Sequence, residues 1–482
     1  MRNILAIDAG TTGVTVVLVD DRAQVIAKGY QTFEQHFEHA GWVEHDPEQI
    51  WQATLSATRQ VLEKTSERPE AIGITNQRET VALWDKDTLK APTNAIVWQD
   101  RRTAGILDEP KFQQNATGIR KLTGLPLDPY FSASKLLWIK RNLPEVWQGV
   151  INETTRVGTI DSYLIARLTG GRLHITDATN ASRTQLADIT KAEWDDRLLD
   201  LFEIPKSALP KIVPSLGNHG TTFAPAFFDL ELPILAIAGD QQAALFGQCA
   251  FEPGEAKCTY GTGAFLLQNT GDQISSNEKL IATIAWQTAD GQITYAVEGS
   301  VFIAGAAVEW LKNIGIINDA SELEAFARQV DSTDGVVFVP ALAGLGAPYW
   351  NPEATGTLTG LTRGTTKAHI ARATLEGIAW QVTDVFEAMS QTPITNIKVD
   401  GGVTKNDLLL EIQASQLAAK VSRPVNQEAT ALGVALMAGL TAGIFESLEQ
   451  IKELQEIDKV FEPNAELKLD RAAWQRTIQK FN

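Results

Sequence analysis

Two aspartates stand at the ends of apolar runs half a chain apart. In Leu5-Ala6-Ile7-Asp8-Ala9-Gly10-Thr11-Thr12 and in Ala236-Ile237-Ala238-Gly239-Asp240-Gln241-Gln242, a strand-like stretch gives way to an acid within a turn of small or polar residues. Such a turn sets a carboxylate beside bare backbone amides, a combination that can hold phosphates and a metal ion. Two of them imply a nucleotide held between two domains. Asn76-Gln77-Arg78-Glu79 is a third candidate, because it breaks two strand-like runs, 71–75 and 81–84, with polar residues where apolar ones would be ordinary. Tyr260-Gly261-Thr262-Gly263 forms a glycine-rich turn, and Asp400-Gly401-Gly402-Val403-Thr404-Lys405-Asn406 follows a strand at 397–399 and opens a helix. The amides of that second turn can face a phosphate or a nucleoside, although a plain strand-to-helix turn would read the same way. Gly261-Thr262-Gly263 lacks the third glycine of the dinucleotide fingerprint, and no G-x-x-x-x-G-K-[ST] occurs, which excludes Rossmann and P-loop grips. His36, His39 and His45 lie close in sequence but match no helical ligand spacing, so a solvated surface is expected there rather than a metal site.

The elements that must position these residues read as two halves of similar design. Residues 3–19 give strand, Gly-Thr-Thr turn and strand, with a further apolar stretch at 24–27. Asp46-Pro47 supplies a cap and a first-turn proline for a helix whose apolar residues, from Ile50 and Trp51 to Val61 and Leu62, recur at helical spacing. Residues 255–268 repeat the strand, glycine turn and strand, a kinship in form that suggests duplication. Helices rich in Ala and Gly are expected at 299–311, 369–389, 406–421 and 429–442. Alternating strands and helices put the fold in the α/β class, with the domain change between Asp240 and Glu255.

Composition narrows the function. A net charge of −17 argues against non-specific nucleic-acid or anionic-membrane binding, so an anionic ligand must be gripped by local amides and metal. With 482 residues, 44% of them hydrophobic, the chain can bury the cores of roughly two to four domains. No apolar run approaches the ~20 residues that span a bilayer, and a strand starting at position 3 leaves no room for a signal peptide, so a cytoplasmic location is expected. Cys249 and Cys258, the only cysteines, lack a C-x-x-C spacing and read as small core residues.

Taken in order, Asp8-Ala9-Gly10-Thr11-Thr12, Gly73-Ile74-Thr75-Asn76-Gln77-Arg78-Glu79-Thr80, Gly239-Asp240-Gln241-Gln242-Ala243-Ala244, Tyr260-Gly261-Thr262-Gly263 and Asp400-Gly401-Gly402 closely resemble the FGGY carbohydrate kinases, and within them the glycerol-phosphorylating branch. Gly41-Trp42-Val43-Glu44-His45-Asp46-Pro47, Thr179-Asn180-Ala181-Ser182-Arg183-Thr184 and Gly344-Leu345-Gly346-Ala347-Pro348-Tyr349-Trp350 extend the likeness, which runs to at least Ala442. The resemblance implies two domains, 1–247 and 248–482, of the actin-like ATPase (ribonuclease H-like) fold, closing on ATP, Mg²⁺ and glycerol in the cleft between them. It assigns the polyol hydroxyls to Arg78, Glu79, Tyr130, Asp240 and Gln241, and the walls over its carbons to Trp98 and Phe265. Asp240 becomes the general base and Asp8 the Mg²⁺ aspartate. Thr11, Thr12, Gly13, Gly261 and Thr262 fall to the phosphates, and Gly305, Glu309, Gly402 and Asn406 to the adenosine and α-phosphate side. A homodimer or homotetramer is implied as well.

Three departures from the family pattern accompany these matches. Gly13-Val14-Thr15 stands where Ser-Ser-Arg is usual, which removes a basic residue near the phosphates. Glu309 replaces a usual Gln and adds negative charge near the nucleotide. Residues 221–232, with Ala226-Phe227-Phe228, lack both the Gly-Lys-rich effector loop and the phosphorylated histidine used for control by some members. The first two leave open a catalytically weak, regulatory relative, and a kinase for another small polyol or sugar stays open beside it.

Overall fold

The structure is a computed structural model that describes residues 2–389, 394, 396–467 and 469–481. Two large mixed sheets form its framework. In the first, Ile4–Ala9, Gly13–Val19 and Val25–Thr32 run as an antiparallel meander, and Ala71–Asn76 and then Ile234–Gly239 add in parallel on the other side of the first strand. In the second, Ala256–Tyr260, Ala264–Gly271 and Ile293–Val301 make the meander, and Asn396–Asp400 and Lys420–Pro424 add in parallel. Strand order and direction therefore repeat, as the similar turns suggest. Ile281–Gln287 and Ile457–Phe461 extend the two edges of the second sheet.

The first strand is apolar up to Asp8 because both of its faces are covered. Leu5, Ile7 and Ala9 join one core cluster with Ile50, Trp51 and Val61 of the Pro47–Lys64 helix, which Asp46 caps by accepting from the Glu48 amide. Ile4 and Ala6 join another, with Val434 and Ala438 of the Ala429–Thr441 helix. That helix comes from late in the chain yet lies on the first sheet, crossing Asp240–Gly247. The crossing demands glycine: a Cβ at Gly433 would sit 1.8 Å from the Ala243 carbonyl oxygen. Both cysteines are buried and unpaired.

Two expected helices need correction. Residues 299–301 close the Ile293–Val301 strand, and the helix runs from Gly305 to Asn313. Small Ala and Gly residues carry little periodic signal there, and pairing of 299–301 with Ala264, Phe265 and Leu266 decides the strand. Helix Asp407–Leu417 stops short of 421, because Ala418 turns into the left-handed region (φ 50°) and Val421 enters the next strand. Within 221–232, Phe227 is fully buried against the first core. Among the described residues no helix is long and apolar enough to cross a membrane.

Candidate active site

The Asn76–Glu79 break is buried throughout. Arg78, 3% exposed, donates to both oxygens of Glu298 (2.6 and 3.1 Å), to Gln242 Oε1 (3.3 Å), and lies 3.2 Å from Asp240. Glu79 accepts from Arg183 Nε at 2.6 Å, and Arg183 Nη2 reaches Glu298 at 3.1 Å. Glu79 has φ 59°, a strained backbone for a non-glycine residue. The Ser132 hydroxyl donates to the Glu79 carbonyl (2.8 Å) and holds that turn.

Burial alone would raise the Glu298 carboxyl, yet Arg183 and Arg78 hold it down at about 2. Glu79 shifts the other way, raised by burial against the pull of the same arginines. Asp240 is raised too, by burial opposed by Arg78 and the Gln241 amide. Its Oδ1 accepts from that amide at 2.7 Å, at the start of helix Asp240–Gly247. Gln241 Oε1 accepts from the buried Lys257 amine, which also donates to Thr259 at 3.0 Å.

Aromatic rings close one side. Trp98 stands edge-on to Tyr130 (5.5 Å between centroids) and to Phe265 (6.4 Å), the last contributed by the second sheet. The indole N–H of Trp98 donates to the Thr11 hydroxyl at 3.0 Å, which ties the aromatic wall to the first glycine turn. Buried Lys135 caps the backbone carbonyls of Pro129, Tyr130 (2.9 Å) and Phe131 (3.4 Å) and so fixes the loop carrying Tyr130.

Asp8 lies at the end of its strand with its carboxyl pushed up to about 8, by burial first, then by Asp240 and Glu428, with Lys28 opposing. A carboxylate in that surrounding feels more negative than positive charge, since Lys28 is the weakest of these influences. Mg²⁺ suits such a place because it needs only one or two protein carboxylates and takes its other ligands from phosphate and water. Thr11 is half-buried, Thr12 is exposed, and Gly13 opens the next strand.

On the second half, Gly261, Thr262, Gly305, Glu309, Gly402 and Asn406 line a single cavity of about 720 Å³, with Val308, Trp310 and Val403 supplying apolar wall. The size suits a nucleoside. The turns that frame it interlock: the Ala304 and Gly305 amides donate to the Thr262 and Gly261 carbonyls (2.8 and 2.9 Å). Gly401 (φ 95°) lies so close to Tyr260 that a Cβ would meet its carbonyl oxygen at 2.3 Å. The Asn406 side chain caps helix Asp407–Leu417 through the Leu409 amide (2.9 Å). Glu309 is 60% exposed and 3.8 Å from Lys312, so solvent and a neighbouring cation screen its charge.

The chain matches the model of the FGGY family of carbohydrate kinases, N-terminal domain, over residues 3–247 and that of the C-terminal domain over 256–442. The chain belongs to the FGGY family of carbohydrate kinases. It is 47% identical to "Glycerol kinase" of Bdellovibrio bacteriovorus, covering 99% of this chain and 98% of that one. It is also 47% identical to "Glycerol kinase 2" of Thermotoga maritima, covering 96% and 95%. Among solved structures, glycerol kinase of Plasmodium falciparum with ADP superposes with a TM-score of 0.93 at 37% identity, covering 100% of this chain and 98% of that chain. A gluconate kinase from Lactobacillus acidophilus shares the fold at 24% identity and a TM-score of 0.88. The architecture is thus the actin-like ATPase fold of FGGY kinases, and the chain is an ATP-dependent phosphotransferase.

For an FGGY kinase, three residues that hold the site do not stand out in the sequence. Arg183 stands in a block that carries family likeness, Lys135 lies in helix Ser132–Asn142, and Glu298 borders the stretch 299–301 expected as helix. Glu298 carried one signal: it is the only charge in the strand Ile293–Val301, and a charge buried in a strand requires partners.

Proposed function

We propose that the protein transfers the γ-phosphate of ATP to glycerol, giving sn-glycerol 3-phosphate and ADP. The observation that carries this reading is the joining of Arg78, Glu79, Tyr130 and Asp240 with the Trp98–Phe265 wall, beside the Thr11 turn. A triol has many hydroxyls and little apolar area, so several fixed polar partners and a thin aromatic cover suit it, and partners left unpaired would reject poorer substrates.

In this reading Arg78 and Glu79 orient two hydroxyls, and the third faces Asp240. Asp240 takes the proton as that oxygen forms its bond to Pγ, while the bond from Pγ to the β-phosphate bridging oxygen breaks and its electron pair leaves with ADP. Burial raises the affinity of Asp240 for the proton, and Arg78 at 3.2 Å keeps its carboxylate accessible to ionisation and aimed. Amides and hydroxyls of Thr11, Thr12, Gly13, Gly261 and Thr262 grip the phosphates from both halves, and closure of 1–247 on 248–482 completes the site. Asp8 would hold Mg²⁺, which when bound neutralises phosphate charge. Use of ATP and the lack of a membrane-spanning helix among the described residues fit a cytoplasmic enzyme.

The test is coupled ADP release with ATP, Mg²⁺ and a panel of glycerol, dihydroxyacetone, erythritol, xylulose and gluconate. Release with glycerol well above the others is expected, and a stronger response to any other member would overturn the acceptor.

A further inference from the structure

We propose that the Tyr30 hydroxyl binds the nucleotide's phosphate chain beyond the α-phosphate, an inference that rests on the ATP-dependent reading above. Three strands of the first sheet set Asp8, Thr15 and Tyr30 in one row, with Thr15 the direct partner of both Asp8 and Tyr30. Residues directly opposed on neighbouring strands share a face, so Tyr30 stands on the Asp8 face. Two residues further along that face, Ala6 and Val17 are buried under the Ala429–Thr441 helix. At the row itself the cover ends: Asp8 and Thr15 are half-buried and Tyr30 is 46% exposed.

The ring does not lie idle over the edge. A Cβ at Gly13 would sit 2.8 Å from the Tyr30 hydroxyl oxygen and 2.9 Å from ring Cε2, so the ring crosses Gly13 and delivers its hydroxyl to the 10–13 turn. Any side chain at position 13 would push it away. Among the described residues the hydroxyl has no hydrogen-bond partner, while the Tyr30 backbone is held on both sides by Gln60 (3.1 Å each). The phenol is therefore placed by its backbone and free at its tip.

Charge explains why a donor is needed there. Thr15 carries no charge, and Lys28, two residues before Tyr30 on the same face, is engaged by Glu428 at 2.5 Å. Asp8 and Glu428 make the region acidic. A neutral hydroxyl can donate to a phosphate oxygen held on the turn amides, and a bond to an ionised acceptor is stronger than one between neutral groups.

Tyr30→Phe removes the oxygen alone from an exposed ring, and binding of ADP, a non-hydrolysable ATP analogue and AMP by calorimetry reads the result. Affinity for ADP, for the ATP analogue or for both should fall about tenfold, with AMP and glycerol affinities unchanged. Adding Thr15→Arg to Tyr30→Phe should restore the loss. Unchanged ADP and ATP-analogue affinity would overturn the proposal, and so would an equal loss for AMP, which marks a general disturbance. Nucleotide binding is read here without an acceptor. A wild-type chain that binds ADP but does not phosphorylate glycerol would sink the glycerol reading and leave the tyrosine result intact.

Discussion

Replacing Glu298 by Gln should weaken both stability and substrate binding. The substitution keeps shape and removes one charge from a fully buried position that serves two arginines, with contacts of 2.6 and 3.1 Å to Arg78 and 3.1 Å to Arg183. Gln offers a single oxygen, and its amide would face a guanidinium that also only donates. Breaking a buried ion pair from one side costs about 3–5 kcal/mol, because the remaining charge stays buried and uncompensated. At about 2–4 °C per kcal/mol for a domain of this size, the melting temperature should drop by about 10 °C. Arg78 would lose its anchor as well, so KM for glycerol should rise by about tenfold or more while KM for ATP changes little. Wild type should show a matching acid sensitivity. Glu298 is held at about 2, below its ordinary 4.5, so its stabilisation is present above pH 4.5 and is lost as pH falls toward 2. Differential scanning calorimetry from pH 3 to 8 with steady-state kinetics covers all of these. A Glu298→Gln protein that melts within about 2 °C of wild type at pH 7 with unchanged KM for glycerol would refute the view that the carboxylate anchors Arg78.

Asp240→Asn should abolish turnover while glycerol binding, followed by calorimetry, stays within a few-fold of wild type; near-normal turnover would remove Asp240 from the role of base. Asp8→Asn should raise the melting temperature of the nucleotide-free protein at pH 8.5 and leave it unchanged near pH 4. The reason is that a carboxyl held at about 8 disfavours folding progressively as pH climbs from its ordinary 3.8 to 8, with the full penalty above that. The same variant should lose Mg²⁺-dependent turnover, and a lower melting temperature at pH 8.5 would contradict the shift. Gly433→Ala forces the crossing with Asp240–Gly247 apart, since its Cβ meets backbone at 1.8 Å. It should destabilise by about 2 kcal/mol or more and depress kcat, and a thermal scan matching wild type would show that the helices can slide.

Much of the framework was legible because its signals are local. The capping pair Asp46-Pro47, the apolar spacing after it and the Gly-Thr-Thr turn each depend on a few neighbouring residues. The misjudged stretches, 299–301 and the end at 421, are places where the local pattern is weak and distant strands decide. Polar interruptions of strands, such as Arg78-Glu79, also stand out from sequence, since an unexplained charge in an apolar run needs a reason.

What the sequence determined by itself is the set of chemical groups: two strand-end aspartates, an Arg-Glu pair, hydroxyls on glycine turns and an acidic chain with no global field for phosphate. Tertiary structure alone decided how those groups are held and charged. Glu298 lies 220 positions from Arg78 yet bonds both of its terminal nitrogens. Asp8 becomes a high-pKa carboxyl because folding buries it and brings Asp240 and Glu428, far along the chain, near it. Tyr30 reaches the first glycine turn only because strand register sets it opposite Thr15, with a bare glycine two residues away. Burial and long-range pairing act through distance in space, which residue order does not state.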